Sequence, residues 1–405
     1  MRTRYGVSPW IDLFPKSRRP EFPRLRGEHR SSVVIVGGGL TGCATAYACA
    51  VAGLKPIVLE ADRLGQGSAG RGAGLLLSDP GPSFRDIVKA HGLRTARQAY
   101  EAWRRASLEG IALLRRLHIR CELEPVDDLM VAVRDGIKDL RREQEARAAA
   151  GLDARWLTNK AASDATGFEA DGAIKLTAGV TFDPYRACLG LASAARARGA
   201  VFVEKTRVKK IQFSRKDVTV LVQGGLVRAN TAIVTTGTAT PEFASLRRHF
   251  TRGETYLVLT APMPAAMRKQ LGRADLTTAD TARPRHRIRR TRDGRVLVAG
   301  ADRGETPARQ KEPTLVQRTG QLMYELLMMN PAISGLQPEY GWDVSYGETA
   351  DGLMYIGPHR NYPHHLFALG RGGDSATGAF LASRILARAA LGKPEKGDEV
   401  FGWTR

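Results

Sequence analysis

The segment from Val33 to Glu60 restricts the fold more than any other. Val33-Val34-Ile35-Val36 is an unbroken β-branched run, Gly37-Gly38-Gly39-Leu40-Thr41-Gly42 follows at once, an alanine-rich stretch leads to Gly53, and Pro56-Ile57-Val58-Leu59-Glu60 comes next. A run without alternation suits a strand buried on both faces, the kind found in parallel sheets. Two such strands joined by a helix make a right-handed βαβ unit. The glycines satisfy G-x-G-x-x-G between strand and helix, where each has a separate job: Gly37 for the tight turn, Gly39 for close approach of backbone to a pyrophosphate, Gly42 for close packing of helix on strand. Leu40 and Thr41 open the helix, whose first N–H groups lack partners within it and attract an anion. Glu60, 18 residues past Gly42 and followed by Ala61, stands where an acid would accept the ribose hydroxyls of a dinucleotide. An acid there argues against a 2′-phosphate and leaves NAD and FAD equally open.

The remainder continues the same grammar. Residues 84 to 118 and 137 to 150 carry apolar stripes at helical spacing. After the turn Gly179-Val180-Thr181-Phe182-Asp183-Pro184, a helix is expected over 185–198, with strands over 200–203, 208–213 and 218–222. Ala232 to Gly237 is a buried-type strand, whereas 256–260 and 295–299 alternate and suit an antiparallel sheet. A strand over 366–370, a glycine-rich turn over 370–378 and a helix over 379–390 close the pattern. The class is α/β, with a large core and no short-period repeat.

Charge narrows the partners only slightly. The chain has 62 Lys and Arg against 41 Asp and Glu, a formal charge of +21. Arginine and alanine are abundant throughout, so the basic residues form no single recognised nucleic-acid module and nucleic-acid binding is not expected. Cys43, Cys49, Cys121 and Cys188 are too far apart for a C-x-x-C centre and read as reduced structural thiols; no metal is implied. No run of about 18 apolar residues and no greasy amino-terminal core are present, which places the chain in the cytoplasm. Residues 1–31, with four prolines and many arginines, read as a basic arm, pinned through Trp10 if it is pinned at all.

The choice between dinucleotides comes from a resemblance. Gly67-Ser68-Ala69-Gly70-Arg71-Gly72-Ala73-Gly74 is similar to the G-A-S-G-R-N-G-G signature of the D-amino acid oxidase and glycine oxidase superfamily of FAD enzymes. Phe182-Asp183-Pro184-Tyr185, Val234-Thr235-Thr236-Gly237, the segment 289–295, and Gly370-Arg371-Gly372-Gly373-Asp374-Ser375-Ala376-Thr377 resemble further motifs of that family, so the likeness spans residues 32 to 392. It implies a Rossmann-like FAD-binding domain of the glutathione-reductase type built from residues 32–85, 180–245 and 340–395. Residues 86–179 and 246–339 would then form a discontinuous α+β substrate domain whose antiparallel sheet roofs the flavin, with 396–405 as a tail. The roles it implies are these. Gly37, Gly39 and Gly42 meet the pyrophosphate and Glu60 the ribose; Gly67, Ser68, Gly70 and Arg71 line the flavin side. Val208 serves the adenine end, Thr236 and Gly237 approach the diphosphate, and Gly373, Asp374 and Thr377 sit near the flavin pyrimidine. Ala69, Gly72, Ala73 and Ser375 depart from the family pattern.

The resemblance also implies oxidation of a C–N bond of an amine or amino acid by hydride transfer to flavin, with hydrolysis of the imine and oxygen or another acceptor reoxidising the flavin. Such chemistry asks the protein for positioning and a dry pocket more than for a strong acid or base. Arg289 occupies the family position of the cation that forks onto a substrate carboxylate, and Tyr256 is a secondary pocket candidate. Alternation puts Arg287 and Arg289 on one face of their strand, either facing substrate or forming a solvated basic edge. Tyr346 and His359 have weaker claims. No Cys follows Cys188 and no His lies in 67–74, so the FAD is expected to be non-covalent. Two rival readings stay open, a flavin-binding protein without turnover and a flavin enzyme acting on RNA. The particular amine, the electron acceptor and the oligomeric state are not legible.

Overall fold

The computed structural model describes residues 2–371 and 375–405. Its βαβ start has the expected order, helix Leu40–Val51 between strands Gly27–Val36 and Ile57–Leu59, with Val34 opposite Ile57 and Val36 opposite Leu59 in a parallel ladder; the first strand begins inside the expected arm, because residues 27–31 pair with residues 225–229. The sheet built on it has eight strands among the described residues. Its parallel centre runs His365–Leu369, Gly225–Gly237, Gly27–Val36, Ile57–Leu59 and Val201–Val203 in spatial order. Helices Leu40–Val51, Pro184–Arg196 and Thr377–Ala390 pack together on one face around Ile35, Val58, Cys43, Cys188 and Phe380. The other face is covered by the antiparallel ribbon Val208–Phe213 and Val218–Val222, which buries Val34, Leu59, Val220 and Val227.

A second sheet, of ten strands among the described residues, shares a cavity with the carboxyl ends of the first. Its middle is Pro338–Glu348, Thr251–Thr260, Val296–Gly304 and Arg287–Arg290, all antiparallel neighbours. Leu257, Leu259, Leu297, Ala299, Tyr340 and Trp342 form its inward apolar face, packed on Ala73, Leu75 and Leu77. Helix Lys311–Met329 covers the outward face through Leu315, Leu322 and Leu326.

Two strands and one helix depart from the expected partition. Strand Pro338–Glu348 pairs within the ten-stranded sheet although residues 340–348 are expected in the flavin domain. Leu75–Leu76 joins that sheet too, through Gly172–Thr181. Helix Phe84–Arg116 buries Phe84, Ile87 and Trp103 in the core beneath the parallel sheet, and so belongs with the first unit rather than the second. That helix is one run in hydrogen bonding but turns at Gly92, where φ is 81°. The amino-terminal arm is pinned: Arg4–Tyr5 adds a parallel strand to Tyr340–Gly341, and Pro9–Asp12 forms a short helix with Pro9 at its first position, where a missing N–H costs nothing. Among the described residues no helix is long and apolar enough to cross a membrane.

Candidate active site

A cavity of about 800 Å³ runs between the two sheets, along the carboxyl ends of the parallel strands. Ligands of open α/β sheets occupy that place because helix amino termini and loops converge there. One end is lined by Glu60, Ala61, Arg63, Thr206 and Val208, the middle by Gly37, Gly39, Leu40, Thr41, Gly67, Ser68, Thr236 and Gly237, and the other end by Ala73, Gly74, Leu75, Leu257, Ala299, Val344, Tyr346, Met354 and Arg371.

The glycine turn divides its labour. Gly37 has φ of 107° and its Cβ would stand 2.9 Å from the Thr235 carbonyl oxygen, so only glycine fits. Thr235 Oγ1 lies 3.1 Å from the carbonyl oxygens of both Val36 and Gly37 and donates to them, tying the turn to the neighbouring strand. At Gly39 the space is open, the nearest atom to an added Cβ being Ala69 Cβ at 3.9 Å. Glu60 is fixed by two backbone donors, Gly38 N at 2.7 Å on Oε2 and Asp62 N at 2.8 Å on Oε1. An open glycine cradle at a helix start, with an acid held at the next strand end, fits the diphosphate and ribose of a dinucleotide.

Several expected residues stand elsewhere. Gly42 does not line the cavity; it is the packing contact between helix and turn. Gly70 lies behind the wall, where an added Cβ would come within 2.3 Å of the Gly65 carbonyl oxygen and 3.1 Å of Ile11. Arg71 turns away, donating to the carbonyl oxygens of Asp343 at 3.2 Å and Gly6 at 3.1 Å. Thr377 is fully buried and donates to the Leu77 carbonyl at 2.8 Å, leaving Gly378 and Ala379 to face the cavity. The expected contributions of Gly373 and Asp374 lie outside the described residues.

The two catalytic candidates are corrected in the same way. Tyr256 points to the outward face of its strand, because period-two alternation gives the cavity to Thr255 and Leu257. Its hydroxyl is 3.0 Å from Glu254 Oε2 and 3.1 Å from Thr306 Oγ1, and burial raises its pKa. Arg287 and Arg289 do share a face, and it is neither solvated nor an edge: both are buried in an internal strand. Arg287 pairs with Asp128. Arg289 stops behind the cavity wall, donating to the Gly74 carbonyl at 2.6 Å with its guanidinium 5.0 Å from the centre of the Trp10 ring. Burial lowers its pKa to about 10.

Among the described residues, the cation that lines this far end of the cavity is Arg371. Its guanidinium lies 4.3 Å from the centre of the Tyr346 ring, and Nη1 donates to Asp302 Oδ1 at 3.2 Å. Thr255 donates to the other Asp302 oxygen at 3.1 Å. Burial, with Asp302 next in weight, pushes the Tyr346 phenol well above its ordinary range. Arg371 was visible only as a charge inside the closing glycine loop, and nothing in its neighbours signalled Asp302, which comes from a strand some seventy positions earlier. Ser375 is put to use where the family pattern has glycine: its Oγ accepts from Leu77 N at 2.9 Å and so joins that loop to the cavity wall.

Comparison with known proteins agrees with this geometry. The family model described as DAO, FAD dependent oxidoreductase, matches residues 32–389. The chain is 28% identical to gamma-glutamylputrescine oxidoreductase of Escherichia coli over 394 residues, 93% of this chain and 87% of that protein. It is 24% identical to glycine oxidase of Bacillus licheniformis, over 92% of this chain and 96% of that protein. Among solved structures, glycine oxidase from Geobacillus kaustophilus superposes with a TM-score of 0.76 at 20% identity, covering 93% of this chain and 99% of that one.

Proposed function

Because the chain belongs to the DAO family of FAD-dependent oxidoreductases, we propose that it oxidises the C–N bond of a small amino acid or related amine bearing a carboxylate, and that Arg371 holds the carboxylate. The observation that carries this reading is the position of Arg371 on the cavity wall, backed by the Tyr346 ring and steadied by Asp302. An arginine fork pairs with both oxygens of a carboxylate, and a planar guanidinium resting on an aromatic face loses little entropy in doing so. The relatives named for glycine and for gamma-glutamylputrescine support the class, since both molecules carry an amine and a carboxylate.

FAD, when bound, supplies the acceptor for the two electrons and hydrogen removed from the C–N bond. Gly37, Gly39, Leu40 and Thr41 would hold its diphosphate, Glu60, Ala61 and Val208 its adenosine, and Thr236 and Gly237 the span between. Leu257, Ala299 and Val344 give the substrate end an apolar wall that excludes water, and Thr255 and Ser345 add hydroxyls beside Tyr346. An amine R2CH–NH2 loses a hydride and a proton to become R2C=NH, which water converts to the carbonyl compound and ammonia. No buried acid or base of this chain lines that end, so orientation is the protein's contribution among the described residues.

Anaerobic titration of the purified yellow protein with glycine, sarcosine, D-amino acids and polyamines tests the reading. Bleaching of the flavin bands by the carboxylated members supports it; bleaching by polyamines alone overturns the carboxylate, and no bleaching by any favours a flavin binder without turnover. Oxygen consumption during aerobic turnover then separates oxygen from another acceptor. The FAD is held without a covalent bond in this reading, because each of the four cysteines is buried in the core and no histidine lies in the 67–74 wall. Acid precipitation should leave the colour in the supernatant.

A further inference from the structure

The wall of the cavity between Gly70 and Gly74 has almost no side chains of its own to hold it. It is Gly-Arg-Gly-Ala-Gly, and its only regular structure is the single turn Ala69–Arg71. Glycine-rich backbone loses the most freedom on being fixed, so something outside the segment must fix it. Phe182 N donates to the Gly74 carbonyl at 2.9 Å, and four side-chain donors arrive from behind. Ser8 Oγ donates to the Gly70 carbonyl, Trp342 Nε1 to the Arg71 carbonyl at 2.7 Å, Trp10 Nε1 to the Gly72 carbonyl at 3.0 Å, and Arg289 Nη1 to the Gly74 carbonyl at 2.6 Å. The Arg71 guanidinium returns the contact by donating to Gly6 O at 3.1 Å.

Two of these four donors, and the acceptor Gly6, come from the amino-terminal arm, which precedes the family's matched residues. The arm is itself fixed on the inward sheet: Arg4 pairs with Asp12 and donates to the Tyr340 hydroxyl at 2.8 Å, and Gly6 N donates to Gly341 O at 2.9 Å. Trp10 acts twice. Its N–H holds Gly72 while its ring covers the guanidinium of Arg289, which holds Gly74 and whose Nε has no hydrogen-bond partner among the described residues. A buried cation without a carboxylate on it is stabilised by an aromatic face in contact with it.

We propose that Ser8 and Trp10 are positioning residues for the flavin: from outside the cavity they set the backbone of Gly70–Gly74, of which Gly72, Ala73 and Gly74 form the wall on which FAD would rest. Since that wall presents mainly backbone and one methyl group, its register depends on those carbonyl anchors, and small displacements of a binding wall cost affinity and rate far out of proportion to their size. The arm thereby couples the ten-stranded sheet to the cofactor site from outside the cavity, since neither Ser8 nor Trp10 lines it. The inference holds whichever amine is the substrate.

The test uses the full-length holoprotein with Trp10→Phe, Trp10→Ala, Ser8→Ala and, as a control in the same arm, the exposed Leu13→Ser. Readouts are the FAD dissociation constant, the visible circular dichroism of the bound flavin, and the thermal unfolding of the apoprotein. Trp10→Phe keeps a ring over Arg289 and loses only the N–H, so FAD should bind about 5- to 10-fold more weakly with a near-native flavin dichroism. Ser8→Ala should resemble it. Trp10→Ala should weaken binding by a further factor of about ten and alter the dichroism, while Leu13→Ser changes neither. Unchanged FAD affinity in both Trp10→Phe and Ser8→Ala would overturn the proposal, including the case in which Trp10→Ala fails to fold. So would a loss of affinity in Leu13→Ser equal to theirs, since the arm would then act only through general stability.

Discussion

A β-carbon at Gly42 would stand 1.9 Å from the carbonyl oxygen of Gly37, so the first turn of helix Leu40–Val51 lies directly on the end of the strand that precedes it. No shift of a flexible side chain relieves that contact, because the obstacle is backbone.

Gly42→Ala is therefore expected to break the turn itself, lowering the stability of the apoprotein by about 3 kcal/mol, at the upper end of overpacking costs. Gly39→Ala should behave differently. Its φ of −76° suits alanine and nothing stands within 3.9 Å of the new methyl group, so apoprotein unfolding should be unchanged. FAD affinity should fall by about tenfold or more, because that methyl occupies the approach of the diphosphate. Calorimetry and FAD titration on the two variants check the split; equal apoprotein stability in both would contradict the assignment of the two glycines.

A second expectation concerns pH. His286 has Nδ1 2.6 Å from Asp280 Oδ2 and Nε2 2.9 Å from Glu325 Oε2. Burial alone would lower its pKa, but hydrogen bonds and charge from the two carboxylates outweigh burial and raise it from 6.5 to about 8. A group whose folded pKa is raised stabilises fully below its unfolded value and loses that contribution as pH rises through the folded value. Thermal stability should consequently decline between about pH 6.5 and 8 in the native protein and not in His286→Gln. A difference between the two that stays constant from pH 6 to 9 would refute the titration.

How much of this was legible beforehand depended on whether the cause was local. The βαβ start could be read because its requirements sit within one stretch: the open cradle at Gly39, the left-handed turn at Gly37 and the acid at Glu60. The facing of Tyr256 could not be read from its own strand. Alternation fixes that Thr255 and Leu257 share a face, but which face meets the cavity is set by pairing with Val344 and Trp342, nearly ninety residues away. Arg289 is legible as a charge, but its place beneath the ring of Trp10, brought near by the pairing of Arg4 with Tyr340, is not. Trp10 itself was recognisable as a pin from the poverty of apolar residues around it, though not what it pins.

Arg405 supplies a third prediction. Nε and Nη2 grip the two oxygens of Asp351 at 2.7 and 3.1 Å, Nη2 reaches Leu353 O at 2.5 Å, and Nη1 reaches Met354 O at 2.9 Å. Burial raises the pKa of Asp351, but Arg405 and the Leu353 N–H bring it down to about 2. Removing Arg405 takes the fork from Asp351 but leaves His91 Nε2 at 2.9 Å on Oδ2 and the Thr349 hydroxyl at 3.0 Å on Oδ1, so the loss should fall below the roughly 3–5 kcal/mol of a fully orphaned buried charge. Arg405→Ala should show that loss at neutral pH. It should also release FAD faster, because Met354 lines the cavity. Arg405→Lys should restore little, lacking the fork. The native stabilisation is present above pH 3.8 and disappears as pH falls toward about 2, so native and Arg405→Ala unfolding curves should converge on acidification. Parallel curves down to pH 2 would contradict the pairing.

The last prediction separates Arg371 from Arg289. If Arg371 holds the substrate carboxylate, Arg371→Met removes a charge-assisted hydrogen bond of about 1.5–3 kcal/mol, about a 10- to 100-fold rise in KM. The rise should be confined to carboxylated amines; the matching amine without its carboxylate should be oxidised at the native protein's rate, whatever that is. Arg289→Met acts on the Gly74 carbonyl instead. It should weaken FAD binding and slow both kinds of amine by the same factor. Steady-state kinetics on sarcosine and dimethylamine with the two variants give the comparison. Equal losses on both amines in Arg371→Met, with a carboxylate-selective loss in Arg289→Met, would return the substrate fork to the buried strand and require the wall at Gly74 to open when substrate binds.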